Sequence, residues 1–467
     1  MQIAIPRIVI AAVSSGSGKT TITAGLLSAL RRRGLRVQAY KVGPDYIDPG
    51  YHAQASGQPV HNLDTWLVPS EQMQELFFRT AQHADIAIIE GVMGLYDGGR
   101  NGISSTAEIA KLLQAPVLLV LDVKSMGASA AAAALGFRSY DPDVSLQGVI
   151  LNRLGSETHR MMIESALDKL HIPVYGAVRR DDSLKLPERH LGLLPAIENN
   201  SEEDTLNRIT AAIEKQLDVE KITELARSAR RFSGKQTADA VVKPRVCIAV
   251  ARDEAFSFYY PESLNVLENS GACLSFFSPL HDSQLPEADG IILGGGFPEM
   301  FAKELSANHP MLASLRRAAE KGIPIYAECG GFMYLMEQLL DFDGNAYPMA
   351  GIIPGKVQMN AKLQMVGYVT AEFLQDTVLG GQGTLLKGHE FHFSSEASVR
   401  MDDERAFRLT RMRNQAEYLA GYAKDNILGS YLHLHFAGCP KAAAHFVQKC
   451  LAYRKNVPYC LGDGAEG

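Results

Sequence analysis

The chain has little of what would send it to a membrane, a nucleic acid or an oxidising compartment. No uninterrupted apolar run in its 467 residues approaches the roughly 20 residues needed to span a bilayer. Positive charge is not in excess. Lys and Arg number 46 against 52 Asp and Glu, a formal net charge of −6, which gives no support to nucleic-acid binding. The six cysteines, Cys247, Cys273, Cys329, Cys439, Cys450 and Cys460, are scattered, with no pair at Cys-x-x-Cys spacing. That pattern argues against a disulfide scaffold or a zinc knuckle and suits the reducing cytoplasm. The first ten residues are apolar, but Pro6 and Arg7 interrupt them, so they read as a buried first strand rather than a signal peptide. Internal repeats and low-complexity tracts are absent as well.

What remains is an ordinary globular composition, 46% hydrophobic and 21% charged, in a chain long enough for two or three domains. Short β-branched runs at 7–13, 36–40, 86–90, 117–122, 146–151 and 174–178 predict buried parallel strands. Helical patterns lie between several of them, as at 20–33, 107–113 and 157–170. This βα alternation predicts an α/β chain that opens with a doubly wound, mostly parallel sheet, whose ligands sit at the carboxyl ends of the strands. We expect that domain to cover 1–198. The stretch 199–243 is charged, then polar around Ser233-Gly234-Lys235-Gln236-Thr237, and predicts a helical and polar linker. A second α/β domain is expected over 244–467, with strands at 245–251, 290–293 and 323–327.

Chemistry first shows itself at Ser14-Ser15-Gly16-Ser17-Gly18-Lys19-Thr20-Thr21. The run follows an apolar strand and opens a helix, the setting of a phosphate-binding loop (P-loop). Gly16, Ser17, Gly18, Lys19, Thr20 and Thr21 are the candidate ATP contacts. Lys19 would hold the β- and γ-phosphates, and Thr20 would ligate Mg2+. The motif departs from the common pattern, which has glycine where this chain has Val13. The signature lysine of some P-loop ATPases is also absent, its place taken by Ser14. The strand 86–90 ends in Glu90, a candidate magnesium ligand. Two further loops at the same edge, Lys41-Val42-Gly43-Pro44-Asp45-Tyr46-Ile47-Asp48-Pro49 and Gly91-Val92-Met93-Gly94-Leu95-Tyr96-Asp97-Gly98, hold carboxylates. Each alone reads as turn chemistry; side by side next to a phosphate site they read as parts of it.

A second centre lies in the later half. Ile323-Pro324-Ile325-Tyr326-Ala327-Glu328-Cys329-Gly330-Gly331 turns from strand to helix through small residues, which exposes a cysteine at a helix N-terminus. His433, on the strand-like 429–434, is the candidate base. Consecutive glycines at 294–296, with Gly330, offer N–H groups for an oxyanion hole, for which Gly295, Gly296 and Gly330 are the candidates. His435 lies on the same strand face as His433 and has no assigned role. The run Gly388-His389-Glu390-Phe391-His392-Phe393 does not match a zinc spacing and reads as strand alternation.

With these motifs in this order, the whole chain resembles the cobyrinic acid a,c-diamide synthases, ATP- and glutamine-dependent amidases of cobalamin biosynthesis. The resemblance rests on 41–49, 90–98, 294–299, 327–331, 388–394 and 430–435. It implies a dethiobiotin-synthetase-like P-loop domain followed by a class I glutamine amidotransferase domain. Cys329 would form a thioester with glutamine and release ammonia, helped by His433. ATP would phosphorylate an acetate side chain of the macrocycle, and ammonia would displace the phosphate. The resemblance also implies Mg2+, held by Thr20, Asp45 and Glu90, and contacts to the tetrapyrrole acid from Tyr46, Ile47, Asp48 and Asp97. Most class I glutaminases carry a glutamate two residues beyond the histidine; here His435 stands there, so the usual carboxylate is missing. Hydrogenobyrinic acid and nickel-sirohydrochlorin remain open as alternative substrates of the same chemistry. A P-loop switch protein with a non-catalytic second module is the reading from another class. The expected partners are small molecules (tetrapyrrole acid, glutamine and ATP), with no nucleic acid and no membrane, and with room for a homodimer.

Overall fold

The computed structural model describes residues 2–184, 188–189, 192–193, 200–233, 242–396 and 404–456. It divides into two compact units, Met1–Ala238 and Asp239–Gly467.

The first unit is built on strands β1 (Arg7–Ala12), β2 (Val37–Val42), β3 (His61–Leu63), β4 (Ile86–Glu90), β5 (Val117–Asp122), β6 (Leu146–Leu154) and β7 (Val174–Arg179). They lie in the order β3-β2-β4-β1-β5-β6-β7, each parallel to its neighbours. All six residues of β1, RIVIAA, are buried, as a parallel sheet covered on both faces requires. β1 is central, with β4 on one side and β5 on the other, so its carboxyl end opens at a point where the strand order reverses. The register sets Lys41 and Ile10 directly beside Glu90. An ammonium and a carboxylate thus meet at the sheet's carboxyl edge before any loop is considered. The three-residue edge strand β3 was not foreseen, because so short a run carries no periodicity.

The expected linker at 199–243 is corrected. Helices α3 (Asn200–Gln216) and α4 (Val219–Arg227) belong to the first unit; α1 (Lys19–Arg32) and α2 (Asp48–Ser56) precede them. Ile209, Ile213, Leu217, Val219, Ile222 and Ala226 are buried in the same cluster as Ile8, Leu26 and Leu30. Gly25 on α1 makes the contact close: a Cβ there would lie 2.4 Å from Ile213 Cγ1. The charged faces of α3 and α4 dominate their composition, and only a sparse apolar stripe shows that they pack. The polar end of the expected linker, 234–241, lies outside the described residues.

The second unit holds β8 (Val246–Ala251), β9 (Ala272–Phe277), β10 (Gly290–Leu293), β11 (Ile325–Glu328), β12 (Met365–Phe373), β13 (Leu385–His392), β14 (Arg405–Arg411), β15 (Glu417–Lys424), β16 (Ile427–Ser430) and β17 (His433–Leu434). Their order is β9-β8-β10-β11-β16-β15-β14-β12-β13-β17. From β9 to β16 the sheet is parallel; from there on it is antiparallel. One core joins both halves, with Ile248, Val250 and Ile292 in the same cluster as Val369, Phe373 and Phe407. β16 and β17 follow one another in the chain, yet β16 pairs with β11 and β17 with β13. Segment 427–434 therefore carries His433 from the strand beside the cysteine turn to the far edge of the sheet order.

Two candidate active sites

In the first unit the chain leaves β1, passes Gly16 (φ +75°) and Gly18 (φ +89°), and enters α1 at Lys19. Gly18 is required twice. Its φ lies in the left-handed region, and a Cβ would stand 2.3 Å from Asn152 Nδ2, which donates to the Ser17 carbonyl at 2.8 Å. Asn152, at the end of β6, thus braces the loop, a role not visible in the sequence. Ser14, Ser15 and Gly16 are exposed, whereas Ser17 and Lys19 are buried. Lys19 Nζ donates to the Met93 carbonyl at 2.6 Å. Burial, with Lys41 nearby, lowers its pKa to about 8 even though Glu90 and Asp48 pull the other way. Thr21 is half-buried one residue further along α1.

Behind the loop is a buried charge cluster. Thr20 Oγ1 donates to Glu90 Oε1 at 2.9 Å and stands 3.3 Å from Asp48 Oδ2. Lys41 Nζ donates to Glu90 Oε1 at 2.9 Å, pairs with Asp48, and stands 3.7 Å from Asp45 Oδ2. His52, one turn after Asp48 on α2, pairs with the other oxygen of Glu90. Lys41, His52 and Glu90 are all buried. Burial alone would depress the Lys41 pKa, but Asp48, Glu90 and Asp45 raise it above the ordinary lysine value. Burial alone would raise Glu90, but Lys41 and His52 hold it below the usual carboxylate range. Asp48 goes upward, through burial and the neighbouring Asp45.

Both aspartates expected at this site have partners within the chain. Asp48, expected at the tetrapyrrole, is buried against Lys41 and faces Thr20. Asp45, expected at the metal, points Oδ1 at the amides of Ile47 and Asp48, at 2.8 and 3.1 Å, because the N-terminus of α2 needs an acceptor. Tyr46 and Ile47 are half-buried, and Asp97 is exposed with Oδ2 accepting from the Gly94 amide at 2.9 Å. Lys41 and His52 were missed. The signal for Lys41 was present: a charged residue inside a run of apolar strand positions calls for partners.

In the second unit β11 ends at Glu328 and the chain turns at Cys329, whose φ is +46° and ψ −104°. A non-glycine residue held there is strained, as in the sharp strand-to-helix elbows of nucleophiles. The Cys329 amide donates to the Ser430 carbonyl at 2.7 Å and the Gly331 amide to the Gly294 carbonyl at 2.9 Å, which ties the elbow to β16 and to the glycine turn. Gly294 N donates to the Tyr259 hydroxyl at 2.8 Å. The Gly295 carbonyl accepts from Phe258 N at 3.0 Å. A Cβ on Gly330 would lie 3.0 Å from Gly296 N, and one on Gly295 would lie 2.6 Å from His433 Cε1. The three expected oxyanion glycines therefore gather around Cys329 and His433.

His433 is buried, and the Cys329 thiol stands close enough to act on its imidazole. Its Nδ1 stands 3.2 Å from Glu328 Oε2. Burial pulls the imidazole down, but Cys329 and Glu328 prevail and raise its pKa to about 10. Glu328 stands within the cysteine motif, where sequence alone gives it no role. His435, just past β17, stacks on Tyr260 with ring centroids 4.4 Å apart and places Nε2 3.9 Å from Glu262 Oε2. The run 388–393 falls on β13 and its end: His389 stacks on His433 at 4.9 Å and meets the Tyr260 hydroxyl at 2.9 Å, and Glu390 pairs with the Tyr418 hydroxyl.

Comparison with known proteins agrees with this division. Residues 8–194 match the CobQ/CobB/MinD/ParA nucleotide binding domain, and residues 247–440 match the CobB/CobQ-like glutamine amidotransferase domain. The cobyrinate a,c-diamide synthase of Dehalococcoides mccartyi is 46% identical over 454 residues, 95% of this chain and 98% of that protein. The enzyme of that name from Caldanaerobacter subterraneus is 43% identical, covering 96% and 99%, and the one from Salmonella typhimurium 41%, covering 94% and 97%. With both sites built from residues of its own two units and likeness running nearly end to end, the chain belongs to the cobyrinate a,c-diamide synthase family.

Proposed function

We propose that this chain is an ATP-dependent carbon–nitrogen ligase that amidates the a and c acetate side chains of cobyrinic acid, in cobalamin biosynthesis, with glutamine as the nitrogen donor. The observation that carries this reading is the Cys329–His433 pair at a strained elbow, in a chain whose other unit wraps a phosphate loop around Lys19. A thiol that frees ammonia is of use only together with chemistry that consumes it.

In the second unit, His433 takes the proton of the Cys329 thiol and the thiolate attacks the side-chain amide of glutamine. The negative oxygen of the tetrahedral intermediate is met by the amides around Gly295, Gly296 and Gly330. The imidazolium returns the proton to the departing nitrogen, so ammonia leaves and a thioester remains. Water, deprotonated by the same imidazole, then frees glutamate.

In the first unit an acetate oxygen of the macrocycle attacks the γ-phosphorus of ATP. ADP departs and an acyl phosphate is left. Ammonia attacks the acyl carbon and phosphate leaves with its electron pair. Lys19 and the loop amides hold the phosphates. Thr20, Asp48 and Glu90 present hard oxygen donors, with the Thr20 hydroxyl within 3.3 Å of both carboxylates, a set that suits Mg2+. When bound there, Mg2+ would offset charge on the phosphates. Lys41 and His52 keep Glu90 ionised and aimed. Tyr46, Ile47 and Asp97 lie on the two loops flanking this cluster and are assigned to the tetrapyrrole.

The test is a substrate panel. Cobyrinic acid, hydrogenobyrinic acid and nickel-sirohydrochlorin are each incubated with ATP and glutamine, and mass gain is measured. Conversion of cobyrinic acid to its diamide is expected. Turnover of only one of the other two would reassign the substrate while leaving the chemistry in place. The absence of mass gain with all three would refute the ligase reading.

A further inference from the structure

We propose that Glu328 is the positioning carboxylate of the glutaminase, fixing the tautomer and the aim of His433 from the residue directly before the nucleophile. This rests on reading Cys329 and His433 as nucleophile and base.

The geometry gives each oxygen of Glu328 a separate role. Oε2 faces His433 Nδ1 at 3.2 Å. Oε1 accepts from the Leu434 amide at 3.2 Å and from the Tyr326 hydroxyl. The carboxylate is buried and braced by two donors, so it cannot swing away from the ring. The pairing of β11 with β16 sets Glu328 beside Ser430, three residues before the histidine. With Nδ1 given to Glu328, Nε2 is the ring nitrogen left to take the thiol proton. The residue two positions beyond His433 does not substitute for Glu328, because His435 turns to Tyr260 and Glu262. The other titratable groups around His433 are Cys329, His389 stacked on its face, and Glu390 and His392 within electrostatic reach. Glu328 is the carboxylate among them that is hydrogen-bonded to the ring.

The substitution Glu328→Gln makes a sharp test. Tyr326 and Leu434 both donate to the Oε1 position, so the amide oxygen settles there and the amide NH2 faces Nδ1. The acceptor becomes a donor and the imidazole is driven to the tautomer with Nε2 protonated, which cannot accept the thiol proton. By analogy with the tautomer trap of serine-protease triads, glutamine-dependent kcat should fall roughly 100-fold or more, with KM for glutamine little changed. Amidation driven by added ammonium should persist, which also shows that the variant is folded. Loss of the negative charge should move the alkaline limb of glutamine-dependent kcat/KM to lower pH. The charge-conserving Glu328→Asp should keep that limb near its wild-type position and lose less rate.

In the wild-type enzyme, His433 Nδ1 should carry a proton at neutral pH, read as an N–H resonance of labelled imidazole; an unprotonated Nδ1 overturns the proposal without any variant. So does a Glu328→Gln protein that still amidates with ammonium and uses glutamine at the wild-type rate with an unmoved pH limb. Failure of the underlying reading looks different: Cys329→Ala would then still consume glutamine.

Discussion

One buried ammonium, Lys41, lies among Asp45, Asp48 and Glu90 at the edge of the first sheet. Removing it by Lys41→Met leaves buried carboxylates without their cation, which should destabilise the first unit by about 3–5 kcal/mol, measured by denaturant unfolding in metal-free buffer. In the second unit the sign of a pH effect follows from His433. Its folded pKa of about 10 lies above the ordinary 6.5, so the stability it contributes is fully present below 6.5 and is lost as pH rises through 10. Cys329→Ala removes its largest raising partner, so thermal melts of that variant should fall less steeply between neutral pH and pH 10. At this scale the sequence showed residues whose neighbours in the chain announce them: Lys19 in its glycine turn, Cys329 before two glycines. It did not show Lys41, His52, Asn152 or Glu328 in their roles. Their partners lie on other strands, and only the register brings Lys41 beside Glu90 or Glu328 beside Ser430.

Among the elements, α1 does two things, presenting Lys19 at its first turn and receiving α3 against Gly25. Substituting Gly25→Leu puts atoms where Ile213 already stands, 2.4 Å from a Cβ. An overpacking cost of about 1–3 kcal/mol is expected, outweighing the roughly 1 kcal/mol gained in helix propensity. Thermal melts should show it, and the added change Ile213→Ala should recover part of the loss, as a double-mutant cycle would report. The strands at 86–90, 117–122 and 290–293 were legible because parallel strands buried on both faces read as unbroken apolar runs. α3 and α4 were legible as helices within 199–243 but not as part of the first unit's core, since their packing needs only a narrow stripe within a charged sequence. The antiparallel strands β12, β14 and β15 escaped for a related reason, while β13 showed in the alternation at 388–393: in β12 buried and half-exposed positions interleave, which mutes the contrast on which strand reading depends.

For the whole molecule, the two motif sets and their order along the chain were enough to place it in a ligase family. What the order alone did not disclose was that the parallel and antiparallel halves of the second unit share a core, and that segment 427–434, paired with β11 at one end and with β13 at the other, carries His433 to Cys329, about a hundred positions earlier in the chain. ATP hydrolysis is expected only when a tetrapyrrole with unmodified acetates and a nitrogen source are both present, measured as ADP release; steady ATP turnover without the macrocycle would point to a switch or partition ATPase. The central claim is that Cys329 draws nitrogen from glutamine for a carboxylate activated by ATP at the Lys19 loop. It is tested most directly by giving wild-type enzyme and Cys329→Ala cobyrinic acid, ATP and glutamine labelled in its amide nitrogen, with and without unlabelled ammonium, and weighing the product. Wild type should incorporate label at both acetates, and Cys329→Ala should form the diamide only with ammonium and without label. Labelled diamide from Cys329→Ala, or loss of the ammonium-driven product in the folded variant, would contradict it.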